Sequence, residues 1–139
     1  MAQPPKWYLA VAIVALLWNL AGCAAYLSDV RLTPEDVARM TAAQQALYAA
    51  RPSWPVAATA IAVWGGAAGS LGLILRRRCA APLLVASLLG LVAQDVSLFV
   101  LPGAPAIDAT AIVLQSVVFL VGVGLVVLFR KATAERWIA

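Results

Sequence analysis

Four apolar stretches of about 20 residues dominate the chain: Trp7–Leu27, Pro55–Leu75, Pro82–Leu101 and Ile107–Phe129, with charged or Pro/Gly-rich punctuation between them. A helix rises 1.5 Å per residue, so each stretch covers the roughly 30 Å hydrocarbon core of a bilayer. Strands of a membrane barrel would be shorter and would alternate in polarity. The pattern predicts an all-α integral membrane protein, a four-transmembrane-helix bundle forming one domain over residues 1–139.

The interval after the first span predicts a further helix. Thr33-Pro34-Glu35-Asp36 offers an N-cap, a proline at the first helical position and an acid three residues after the cap. Continued over residues 34–50, this helix sets Val37, Met40, Leu47 and Tyr48 on one face and Glu35, Arg39 and several alanines opposite. That is an outer amphipathic helix between helices 1 and 2, lying on the membrane interface as a shield for the helix ends or as a lid. Arg51-Pro52-Ser53-Trp54-Pro55 stops it and starts the second span.

Polar side chains inside spans are costly and are the first place to look for function. Counted along the helices, Asn19, Gln94, Asp95 and Gln115 all fall about 9–12 Å below the outer boundary. Trp18 and Trp64 reach a similar level. These six residues predict a polar layer, read either as hydrogen-bond glue between helices or as a small hydrophilic cavity open to the outside. Asp95 is the sharpest member, because a carboxylate in low dielectric must be protonated, hydrated or paired. Arg31 or Arg51 is its candidate partner, and a proton-carrying carboxyl suits coupled transport.

Small residues recur at helical spacing and predict close contacts. Ala58, Ala62, Gly66 and Ser70 form such a face on the second span, beside Gly65 and Gly69; Pro82, Ala86, Gly90 and Gln94 form one on the third. On the first span Ala15, Asn19, Cys23 and Tyr26 trace a stripe, as do Asp108, Ile112, Gln115, Phe119 and Gly122 on the fourth.

Composition narrows the function classes. The chain is 64% hydrophobic and 12% charged, against roughly 45–50% and 25% in soluble domains, so little length remains for an extramembrane domain. The absence of histidine removes the usual ligand of haem and zinc sites and the usual base of a catalytic triad. No nucleophile, metal set or second acid accompanies Asp95, and neither an enzyme nor a cofactor is expected.

Charge then sets orientation. With alternating spans, Lys6, Arg76, Arg77, Arg78, Arg130, Lys131 and Arg136 share one side, leaving Arg31, Arg39 and Arg51 on the other. The positive-inside rule places both termini and the Arg triplet in the cytoplasm. Three arginines capping a span are a stop signal and not a nucleic-acid site. Trp7, Tyr8 and Trp137 inside, with Tyr26 and Trp54 outside, fit the two aromatic belts.

Leu20-Ala21-Gly22-Cys23 resembles the lipobox of bacterial lipoproteins, and Lys6 with Trp7–Leu17 supplies a signal-like approach. The single charge, the break at Trp18-Asn19 and the apolar continuation to Leu27 favour an uncleaved first span. Cys23 and Cys79 fall at opposite ends of spans, too far apart for a disulfide.

The opening Pro4-Pro5-Lys6-Trp7-Tyr8, then Leu16-Leu17-Trp18-Asn19-Leu20-x-Gly22 and Tyr26, Trp64-Gly65-Gly66 in the second span, and the tail Arg136-Trp137-Ile138, together resemble a group of small four-span bacterial membrane proteins often labelled "sugar transporter". The resemblance implies an inner-membrane location and small-solute transport, with no catalytic motif to carry over. Two readings follow: a homo-oligomeric permease in the lipid bilayer for a small polar solute, and a non-catalytic accessory or stabilising subunit of a larger membrane complex. The second reading uses the glycine face of the second span and the basic cytoplasmic surface as its contacts.

Overall fold

Where no water competes for backbone groups, a helix satisfies them within one segment. The computed structural model describes residues 2–50, 53–100 and 109–138. Among them the chain forms six helices and no strand: α1 (Lys6–Val30), α2 (Pro34–Ala38), α3 (Ala42–Ala50), α4 (Trp54–Ile74), α5 (Ala80–Phe99) and α6 (Ala109–Ala134). Helices α1, α4, α5 and α6 are each long and apolar enough to cross a membrane, the architecture of a multi-pass membrane protein.

The helices overrun or shift from the apolar stretches by up to about a turn. α5 starts at Ala80 and ends at Phe99, and α6 continues beyond Phe129 to Ala134. Leu101, Ile107 and Asp108 lie outside the described residues, as do Arg51 and Pro52 and the Leu47 side chain.

The expected single helix over 34–50 is two helices. α2 begins as its sequence predicts: the Thr33 hydroxyl accepts from the Asp36 amide at 3.2 Å, and the Asp36 carboxylate accepts from the Thr33 amide at 3.0 Å. These bonds hold the Asp36 carboxyl below its ordinary pKa. A second reciprocal cap then restarts the chain. Thr41 Oγ1 accepts from the Gln44 amide and Gln44 Oε1 accepts from the Thr41 amide, at 3.2 and 3.1 Å. The Gln45 side-chain amide donates back to the carbonyls of Ala38 and Met40, which closes the end of α2.

The spans pack in chain order, α1 on α4, α4 on α5 and α5 on α6, so α4 lies between two neighbours. Its small residues make this possible. A Cβ on Gly69 would fall 2.6 Å from Leu84 Cδ2, and one on Gly90 of α5 would fall 2.7 Å from the Ala58 carbonyl. Ala62, Gly66 and Ser70 are buried as well. On α5 the buried positions are Ala80, Leu84, Ser87, Gly90 and Leu91, while Ala86 is half-buried and Pro82 exposed. The contact stripe follows the 3.5-residue repeat of supercoiled helices and not the strict four-residue spacing.

The end carrying the Arg triplet is closed by side chains. Helices α4 and α6 finish alike: Arg76 and Arg136 both adopt φ of 58°. Beyond each, an amide reaches five residues back, Arg77 to the Gly72 carbonyl and Trp137 to that of Ala132, at 2.9 and 2.8 Å. The reversal folds Trp137 under the bundle. Its ring lies 5.4 Å from Tyr8 and 5.7 Å from Trp7, and the Tyr8 hydroxyl donates to the Leu73 carbonyl at 2.8 Å. Tyr8 and Trp137 are thus buried against each other in an edge-to-face contact.

Candidate functional site

The intramembrane polar residues meet in pairs, each pair joining two helices. On α1, the Asn19 amide donates to the Ala15 carbonyl at 2.9 Å and to Ser70 Oγ of α4 at 3.4 Å. Gly66 leaves the room for that amide, since a Cβ there would collide with Asn19 Oδ1. Between α4 and α5, the Thr59 hydroxyl lies 3.0 Å from Gln94 Oε1 and 2.9 Å from the Pro55 carbonyl and is shared between them. Between α5 and α6, Gln115 Nε2 donates to Asp95 Oδ1 at 2.7 Å.

The structure therefore brings Asp95 and Gln115 together and leaves Asn19 and Gln94 with other partners. Gln94 and Asp95, adjacent in sequence, point to different neighbours about 100° apart on the helix. The partner of Asp95 is an amide and not Arg31; Arg51 lies outside the described residues. Trp18 and Trp64 are 39% and 45% exposed, and neither takes part in the three contacts.

Sequence reasoning missed Thr59 and Ser87, the hydroxyls that complete this hydrogen bonding. Ser87 Oγ donates to the Ala62 carbonyl at 2.6 Å. The Thr59 hydroxyl is satisfied on its own helix by the Pro55 carbonyl, whereas Ser87 reaches across to α4; a small hydroxyl costs little in a span in either case and leaves little mark in its hydropathy. Among the described residues every buried side-chain nitrogen and oxygen has a partner, and no group of three or more metal-binding side chains comes together. Cys23 is buried, its thiol 3.4 Å from the Val63 carbonyl, while Cys79 is exposed.

A groove separates α1 from α6. Val11, Val14 and Trp18 wall one side, Gly124 and Leu128 the other, and Lys131 stands at its end; its volume is about 430 Å³. Of the six polar-layer candidates, only Trp18 reaches it. Lys131 Nζ lies 5.5 Å from the centroid of the Trp7 ring, a cation–π distance.

No protein family, curated protein or solved structure matches the chain. The resemblance to small four-span "sugar transporter" proteins rests on the quoted residues alone.

Proposed function

We propose that the chain is a non-catalytic subunit that stabilises a larger assembly in a bacterial inner membrane, with both termini and Arg76–Arg78 on the cytoplasmic side. Seven of ten Lys and Arg residues at that end support the orientation. The observation that carries the subunit reading is the exposure of α6, the least buried of the four spans, 11% buried against 44% for α4. Val113 and Leu120, 63% and 67% exposed and seven residues apart, mark the face offered to a partner helix. The glycine face of α4 is spent on α1 and α5 and is not the contact.

Gentle extraction followed by native mass spectrometry tests the reading. A stoichiometric complex with another protein is expected. Val113→Trp and Leu120→Trp, which keep the face apolar and change its shape, should dissociate it. A wild-type chain that emerges as a monomer sinks the proposal.

The Asp95–Gln115 pair favours a second reading, an oligomeric permease in which a second copy supplies the rest of a polar path past these residues. A homo-oligomer that gains the mass of an added sugar supports it.

A further inference from the structure

The groove between α1 and α6 lies toward the basic end from the residues that mark the subunit reading: Val113 and Leu120 do not line it, while Val127, seven residues beyond Leu120, does. Its dimensions and chemistry are specific. From Val121, which lines it at mid-span, to Lys131 is about 15 Å along α6, half of a roughly 30 Å hydrocarbon core and so the depth of one leaflet. Its walls are apolar along that length, and the one charged residue lining it, Lys131, stands at the basic end.

We propose that this groove binds one anionic phospholipid, with an acyl chain between α1 and α6 and the phosphate at Lys131. A volume of about 430 Å³ lies within the roughly 300–1,000 Å³ range of built ligand sites. A neighbouring helix is a poorer occupant, because it is about 10–12 Å wide and crosses both leaflets. The Trp7 ring holds the Lys131 ammonium over its face and accepts none of its N–H donors in a full hydrogen bond, so the donors call for oxygen acceptors such as a phosphate supplies. Lys6, Arg130 and Arg136 share this end of the bundle with one acid, Glu135, and the net positive charge adds to the attraction for negative headgroups.

Gly124 is the second mark of a built site. A Cβ on Gly69 or Gly90 would strike a neighbouring helix, whereas one on Gly124 meets nothing within 4 Å. The glycine in the groove wall preserves space and serves no helix contact.

The test reconstitutes the full chain in vesicles of equal phosphatidylglycerol and phosphatidylcholine, extracts it in mild detergent and counts retained lipid by native mass spectrometry. One phosphatidylglycerol per chain is expected. Gly124→Leu should lower retention at least tenfold with helicity intact. Lys131→Gln should retain lipid but lose about fivefold of the preference for phosphatidylglycerol. Arg78→Gln, exposed at the same end and off the groove, should change neither. Should Gly124→Leu unfold, Val14→Trp fills the groove from α1 and must give the same loss. Undiminished lipid in a folded groove-filling variant, an unchanged preference in Lys131→Gln, an equal fall in Arg78→Gln, or a dimer that only the groove-filling variants dissociate would each overturn the proposal.

Discussion

The Arg76 guanidinium donates from Nε to the Trp137 carbonyl at 2.8 Å, across 61 residues of sequence. A second nitrogen of the same group reaches the Ala2 carbonyl at 3.3 Å, and the Ala2 amide donates to the Arg136 carbonyl at 2.9 Å. One side chain thus ties the end of α4 to residues at both ends of the described chain. Arg76 does this from a left-handed backbone, which costs an L-residue about 1–2 kcal/mol. Arg76→Ala keeps that strain and loses the bonds, so it should lower stability by about 1–2 kcal/mol. Arg76→Gly relieves the strain and should be about 1 kcal/mol better than the alanine variant. Exposed Arg77→Ala should stay within about 0.5 kcal/mol of wild type. Unfolding in mixed micelles titrated with denaturing detergent ranks the three.

Two glycine-to-alanine changes should have opposite signs. At Gly90 the new methyl falls 2.7 Å from a backbone carbonyl of α4, which a close-packed contact cannot absorb, at a cost of about 1–3 kcal/mol. At Gly124 it enters open space and adds helix propensity, a gain of up to about 1 kcal/mol. The same micelle titration reads both, and destabilisation by Gly124→Ala would contradict the open groove.

The three polar contacts should differ in worth. Gln115→Leu leaves the Asp95 carboxyl at membrane depth without its amide donor, a loss of about 1–3 kcal/mol. Asn19→Ala should cost about 0.6 kcal/mol, near the average for such contacts, because Ser70 still donates to the Gly66 carbonyl at 2.7 Å. A double-mutant cycle over Asp95 and Gln115 isolates the pair, and additivity of the two single changes would show that it carries no coupling.

Acidification should loosen α2. The Thr33 amide and hydroxyl depress the folded pKa of Asp36, so the unfolded chain takes up the proton first, near the ordinary value of about 3.9. The cap then stabilises α2 above that value and fails as pH falls through the lower, folded one. Amide exchange over residues 33–38, compared at each pH with Asp36→Ala, should show a gap at neutral pH that closes in acid.

These residues also mark what the sequence could disclose. The spans and the small face of α4 were legible, because hydropathy and i, i+4 spacing record burial directly. The shared depth of Asp95 and Gln115 was legible as well, but depth alone does not fix azimuth, and Asn19 and Gln94 turn to other neighbours. Thr41-Ala42-Ala43-Gln44 carries the signature of a helix start, but the apolar residues beyond it continue the phase of α2 and mask the break. The Arg76 clasp had no local signal, since arginine seldom takes a positive φ and the contact is made between distant segments.

The back-bonds within helices bear on how the protein is made. Asn19 donates to the carbonyl four residues earlier, as do Thr59, Ser70 and Ser116. α1, α4 and α6 can therefore leave the insertion machinery and wait in lipid with those donors already occupied. α1 in particular must wait, because its main neighbour, α4, is synthesised only after α2 and α3. For these four side chains assembly then becomes an exchange or sharing of partners between segments that are already inserted, while Ser87 and Gln115 find their acceptors only on the neighbouring helix.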